Sequence, residues 1–275
     1  MNRLEVSVRG IGLLGPGLPS WAAAQAVLAG IEAHVPTPAV LAPPARLPPA
    51  ERRRAGPSIR LAMAIADEAV AQAGADPQYL ATVFTSSGGE GGNCHTLCET
   101  LASADRHLSP TRFTNSVHNA AAGYWHIAVA SQSASTSLSA FDGSFCAGLI
   151  EAATQVACSG AAVLLVACDV PYPEPLHGLR ALPHHMGVAL LLGPPDEVGA
   201  VAHLGIELVD PTRSVPVDRC ADPELEALRT RVPAAAALPL LEALACRGAK
   251  RDLVLDYLPS LTVRLQVRQT AKAAS

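Results

Sequence analysis

A chain of 275 residues is long enough to bury a core as one large domain or two small ones. Its composition is 49% hydrophobic and only 16% charged with a mean hydropathy of +0.26, so extensive buried contact with a partner is expected. The formal net charge of −4, with no long basic block, excludes the electrostatic footprint of a nucleic-acid binder. No apolar run approaches the roughly 18 residues of a spanning helix, and Arg3 and Glu5 interrupt any signal-peptide pattern. Seven cysteines without paired spacing fit a reducing compartment, so the expected location is cytoplasmic.

The spacing predicts a strand over Leu4–Leu14, entering the turn Gly15-Pro16-Gly17. Gly10, Gly12, Gly15 and Gly17 do not have dinucleotide-turn spacing, and no acidic residue closes a second strand, so no nucleotide cofactor is expected. Ser20 is placed as cap of a helix over Trp21–Ala29. Residues 35–57, with seven prolines and Arg52-Arg53-Arg54, read as a surface loop; the arginines form a solvated face or meet an acidic carrier protein. Ser58 is expected to cap a helix over Ile59–Ala73, stopped by Gly74. A strand over Ala81–Ser86 leads into Ser87-Gly88-Gly89-Glu90-Gly91-Gly92, which lacks the Gly-Lys-Ser/Thr ending of a phosphate loop. Cys94 and Cys98 share a helix face without a second ligand pair, so they are expected to pack the helix and no metal is expected.

Residues 111–150 carry the pattern on which function turns. Small and apolar residues from Ser116 to Ala130, interrupted by His118, Asn119, Tyr124 and Trp125, predict a helix. Ser133–Ala140 predicts a short buried strand, and Asp142-Gly143-Ser144 a sharp turn with Asp142 as N-cap of a helix to about Cys158. A strand that delivers its last residue onto a helix N-terminus exposes a nucleophile in many enzymes. After it, Ala162–Cys168 predicts a central strand covered on both faces, ending beside Asp169, and Gly187–Leu192 a further strand. The loop between them holds His184 and His185. Ala200–Val209 and Leu261–Arg268 read as strands, Glu224–Arg231 and Pro239–Arg247 as helices, together a C-terminal extension over 196–275.

His118-Asn119-Ala120-Ala121-Ala122-Gly123-Tyr124 and the elbow after it resemble the nucleophile region of the β-ketoacyl synthases, and most closely the shortened chain-length-factor-like members of aryl polyene clusters. The resemblance covers roughly residues 3–195. It implies an α/β thiolase-fold half, layered α/β/α on a five-stranded mixed sheet in which Gly187–Leu192 runs antiparallel. It also places the nucleophile position at Asp142 or Gly143, neither of them a cysteine. The second half, which supplies two histidines in working synthases, is not expected in this chain, and His184-His185 are not that pair.

Two function classes follow. One is a non-catalytic, chain-length-factor-like subunit that pairs with a full β-ketoacyl-ACP synthase and meets acyl carrier protein indirectly. Phe113, Asn119, Trp125, Phe141 and Asp142 would then line an acyl tunnel or the partner interface, or the three aromatic residues would fill this chain's own core. The other is a stand-alone acyltransferase or hydrolase using Cys146 or Ser144 with His118 or His126. The first is preferred, because nothing in the sequence brings a nucleophile, a base and an oxyanion site together.

Overall fold

The run Val163–Asp169 shows why this sequence builds a sheet covered on both sides. Its odd-numbered residues Val163, Leu165 and Ala167 enter one buried cluster and its even-numbered Leu164, Val166 and Cys168 the other. A strand with no polar face must be sandwiched, since each fully buried aliphatic side chain contributes about 1.5–3 kcal/mol. The computed structural model describes residues 3–210, 216–246 and 251–270.

The chain opens with β1 (Leu4–Leu14), α1 (Trp21–Leu28), α2 (Pro49–Arg54), α3 (Pro57–Ala73) and β2 (Ala81–Thr85). It continues through α4 (Gly91–Ala102), α5 (Pro110–Thr114), α6 (Ala120–Val129), β3 (Ser135–Leu138), α7 (Ser144–Ser159) and β4 (Val163–Asp169). Next come α8 (Leu176–Leu179), β5 (Met186–Gly193), β6 (Ala202–Val209), α9 (Pro223–Arg231), α10 (Leu238–Ala245), β7 (Arg251–Leu258) and β8 (Leu261–Gln269). The strands form one mixed sheet in the order β3-β2-β4-β5-β1-β6-β8-β7. Strands β3, β2 and β4 run parallel, and β5 is antiparallel to both β4 and β1, as expected for this fold.

Helices cover both faces. Ile59, Ile65 and Val70 of α3 and Trp125 of α6 pack on one; Trp21 of α1, Phe145 and Leu149 of α7, and Leu240 and Leu241 of α10 pack on the other. Gly10 and Gly12 seat α3 on β1: a Cβ at either would collide with the carbonyl oxygen of Ala69 or Ile65. Glu68 of α3 locks the junction by accepting the N–H groups of Leu13 at 2.9 Å and of Trp21, at the start of α1, at 2.8 Å.

The sheet has eight strands where five were expected, because the C-terminal residues extend it rather than standing apart. β6 pairs with the free side of β1, β8 pairs with β6, and β7, which was not expected at all, pairs with β8. The helix expected over Pro239–Arg247 is α10; Arg247 lies outside the described residues. The proline-rich loop contains the short α2, with Pro49 at its first turn, where a missing N–H costs nothing. Ser58 does not cap α3: Pro57 starts the helix two residues earlier than periodicity implied, and the Ser58 N–H is bound by Glu90 at 2.9 Å. The helix expected over Ser116–Ala130 begins only at Ala120, as α6; a turn over residues 115–119 separates it from α5.

Candidate functional site

Parallel strands β2, β3 and β4 deliver their C-terminal ends to one edge of the sheet, where α/β folds place their sites. Asp169, at the end of β4, is buried there. Its Oδ1 accepts the Ser87 N–H at 2.8 Å and the Ser87 hydroxyl at 2.6 Å, and its Oδ2 accepts the Ala234 N–H at 2.8 Å. Burial pushes this carboxyl above its usual range, against the pull of the three donors and of Arg180. Asp169 thus ties the glycine-rich loop after β2 to the 3-10 turn Pro233–Ala237.

The elbow between β3 and α7 is Ser139–Ser144. Phe141 takes φ +53°, a left-handed conformation uncommon for a bulky residue. Ser144 holds it: its buried hydroxyl donates to the Phe141 carbonyl at 2.7 Å and accepts the Ala140 N–H at 3.0 Å. Asp142 is not the N-cap. Gly143 takes that position, no side chain caps the N–H groups of α7, and Asp142 turns outward to pair with Arg180. Space is tight beneath Gly143, where a Cβ would stand 2.6 Å from the Tyr257 carbonyl oxygen.

Cys146 lies one turn into α7 with its thiol buried and donating to the Asp256 carbonyl at 3.2 Å. Burial first, and then the Asp256 charge, push its pKa up to about 12, so it stays a thiol at neutral pH. Neither Ser144 nor Cys146 has a hydrogen bond to an imidazole among the described residues. His126 instead sits 3.2 Å from the Thr82 hydroxyl and 3.3 Å from the Ser131 carbonyl, and His118 lies 3.5 Å from the Ser86 hydroxyl. His184 and His185 are in the loop before β5, and burial lowers the pKa of each.

Of the bulky residues read as tunnel or interface candidates, Phe113 is 64% exposed and Phe141 60% exposed, whereas Trp125 is enclosed in the chain's own core. Asn119 lines a groove of about 460 Å³ along α6 and β3, with His118, Ala122, Gly123, His126 and Ser135. This groove runs beside the outer edge of β3, which carries no strand partner among the described residues. Val117 and Ile127, next in sequence to its lining residues His118 and His126, are exposed. A second groove of about 660 Å³ is lined by Arg53, Arg54, Arg60 and Arg112, a local concentration of positive charge on a net-negative chain. Cys94 and Cys98 are exposed on α4, contrary to the expectation that they pack it. Among the described residues, no group of three or more His, Cys, Asp or Glu is placed to hold a metal ion, and no helix is long and apolar enough to cross a membrane.

Comparison with known proteins decides the family. The model of the β-ketoacyl synthase N-terminal domain matches residues 20–229. The chain belongs to the β-ketoacyl synthase family. Among solved structures, a ketosynthase (ApeO) in complex with its chain length factor (ApeC) from Xenorhabdus doucetiae matches with TM-score 0.71 at 23% identity, over 96% of this chain and 99% of that one. The ishigamide ketosynthase/chain length factor matches with TM-score 0.73 at 15% identity, over 97% and 99%. The type II polyketide synthase AntDE:AntF, an acyl-carrier protein in complex with its ketosynthase, matches with TM-score 0.73 at 11% identity, over 98% and 100%. At these identities the likeness establishes the thiolase-like fold. No curated protein matches the chain by sequence.

Within this β-ketoacyl synthase fold, sequence reasoning found the elbow but not its partners. Arg180, which lies over Phe141, and Tyr172, which accepts a hydrogen bond from that guanidinium, lie in a proline-punctuated loop without periodicity, and no residue spacing links them to position 141. The available signal was the pair of aromatic and acidic residues, Phe141-Asp142, in a turn otherwise made of small residues.

Proposed function

We propose that this chain is a non-catalytic, chain-length-factor-like subunit that pairs with a full-length β-ketoacyl-ACP synthase and shapes acyl chain elongation. The observation that carries the reading is the elbow: Phe141 takes the strained turn position, while the nearby thiol of Cys146 and hydroxyl of Ser144 are buried and bonded to main-chain carbonyls. Nucleophilic catalysis needs an activated group beside a base, and neither group has one. Two of the matching structures are complexes or pairs of a ketosynthase with a chain length factor, which supports the same role here.

Pairing would use the outer edge of β3 and the groove beside α6. The free N–H and C=O groups of an edge strand invite a partner strand, and exposed Phe113, Val117 and Ile127 supply apolar contact. An obligate interface on the order of 2,000–5,000 Å² is expected. Phe113 and Phe141, exposed on this chain, are the aromatic residues available to bound an acyl tunnel; Trp125 serves the core. The arginine groove offers an electrostatic complement to an acidic carrier protein delivered to the pair.

Co-expression of the tagged chain with a full-length ketosynthase, followed by size-exclusion chromatography with light scattering, tests the pairing; a defined hetero-oligomer is expected. Intact-mass analysis after incubation with acyl-carrier substrate or a synthase-directed epoxide should show no adduct on this chain. A monomer indifferent to every ketosynthase offered, or a stoichiometric acyl adduct on Cys146, overturns the proposal.

A further inference from the structure

Phe141 is exposed, yet it is not free. The guanidinium of Arg180 lies over its ring, 3.7 Å from the centroid. That guanidinium is itself fixed on two sides, by an ion pair with Asp142 and by a 3.2 Å hydrogen bond donated to the Tyr172 hydroxyl. Tyr172 is wedged in turn against the glycine-rich loop. A Cβ at Gly88 would overlap the Tyr172 hydroxyl, and one at Gly91 would stand 2.9 Å from its ring. The start of that loop is anchored by Asp169 through Ser87, and the Ser87 carbonyl accepts the Ser139 hydroxyl at 3.2 Å, at the start of the elbow. The glycine-rich loop therefore has a physical role that is not phosphate binding: it makes room for the tyrosine that fixes the arginine.

We propose that Arg180 is a positioning residue that sets where the Phe141 ring stands, and through it a determinant of the length of acyl product made by the assembled pair. A long cationic side chain on a surface normally samples many rotamers. Three partners from two separated segments hold this one, and a planar guanidinium is the cation suited to stack on a ring face while its N–H groups bond at the edge. The backbone at position 141 sits in a conformation that persists only where its surroundings over-determine it, and such strain marks functional positions. Here it aims an aromatic ring outward from the strand ends rather than into the core.

This inference rests on the reading of the chain as a length-setting subunit, and the experiment separates the two. The chain is co-purified with a full-length ketosynthase as wild type, Phe141→Ala, Arg180→Ala, Arg180→Lys, Tyr172→Phe and the Phe141→Ala/Arg180→Ala pair. Complex formation and the distribution of product lengths are measured for each. Expected are intact complexes throughout and a shift toward longer products in Phe141→Ala that Arg180→Ala reproduces. The double variant should shift no further than Phe141→Ala alone. Arg180→Lys, which keeps the charge but loses the planar stack, should behave like Arg180→Ala, and Tyr172→Phe should shift in the same direction by less. On the chain alone, the ¹⁹F resonance of 4-fluorophenylalanine at position 141 should narrow in Arg180→Ala as the ring gains freedom. Wild-type product lengths in Arg180→Ala with an intact complex, shifts that add in the double variant, or an unaltered fluorine line overturn the inference. Unchanged lengths in Phe141→Ala overturn it as well, while leaving the pairing itself standing. Failure of the wild-type chain to join a ketosynthase overturns the pairing instead.

Discussion

Replacing Asp169 with asparagine tests the device on which the strand-end region hangs. The amide is the same size but neutral. Its oxygen can still accept from the Ser87 N–H and hydroxyl, but its NH₂ group must then face the Ala234 N–H, donor against donor. A hydrogen bond to a charged acceptor contributes about 1.5–3 kcal/mol, and a buried N–H left unpaired costs about 1–3 kcal/mol. Relief of the buried charge, whose desolvation is what raises this carboxyl's pKa, offsets part of that loss. The net destabilisation expected is roughly 2–3 kcal/mol, which in a chain of this size lowers the melting temperature by about 4–12 °C. Ser87→Ala removes only the hydroxyl bond to that carboxylate and should cost about 1.5–2 kcal/mol. Thermal and urea unfolding of the two variants beside wild type provide the check. An Asp169→Asn protein melting within about 1 °C of wild type would refute the claim that this carboxylate holds the loop and the Pro233–Ala237 turn together.

Other expectations concern the core and the buried titratable groups. Gly12→Ala drives a Cβ into the Ile65 carbonyl and should destabilise by about 1–3 kcal/mol through overpacking, read as a lower urea midpoint. Glu242, raised by burial from 4.5 to about 7, contributes stability that is full below pH 4.5 and is lost as the pH rises through 7. After discounting for its partial exposure, Glu242→Gln should therefore gain about 1 kcal/mol over wild type at pH 8 and nothing at pH 4. Iodoacetamide at pH 7.5 should label exposed Cys94, Cys98 and Cys158 on the native chain, with Cys146 protected until the chain unfolds; peptide mapping that finds Cys146 alkylated in the native state refutes its assignment to the core.

The parts of the fold legible in the sequence are those in which a single physical demand sets a long run of residues. β4 and β5 are apolar on both faces because both faces are covered, and such runs need no partner to be recognised. β7 escaped because only Leu253, Val254 and Leu255 of Arg251–Leu258 are buried, and the charges around them imitate a loop. At the elbow, counting on from His118 gives Asp142 and counting back from the strand over 162–168 gives Gly143, whereas the left-handed backbone falls at Phe141. Nothing in a phenylalanine announces positive φ; the conformation is held by the Ser144 hydroxyl within the elbow and by two tertiary contacts, Arg180 over the ring and the tight approach of Tyr257 to Gly143. The same holds for Asp142, whose residue type fits an N-cap but whose charge found Arg180, thirty-eight positions away.

The two ends of the sheet are built differently, and the difference bears on which one meets a partner. At the β7 end, Asp218 closes the edge: its N–H donates to the Val254 carbonyl at 2.8 Å and its carboxylate accepts the Val254 N–H at 2.7 Å. Charged Asp252 and Asp256 stand on the same strand, and both devices discourage the addition of another strand. At the β3 end neither is present. Ser135–Leu138 has no charged residue, its inner neighbour β2 is paired in register along its length, and the groove beside it is lined by Ala122, Gly123 and His126 of α6. A chain that protects one edge and leaves the other open, with exposed Phe113, Val117 and Ile127 nearby, would associate without control if the open edge had no fixed occupant. The asymmetry therefore favours a specific partner at β3 over self-association through β7. Lysine in place of Thr136, whose hydroxyl now accepts from Gln155 at 3.0 Å, should weaken hetero-oligomer formation at least tenfold while leaving the melting temperature of the isolated chain nearly unchanged. Pairing that is indifferent to this charge would place the interface elsewhere on the molecule.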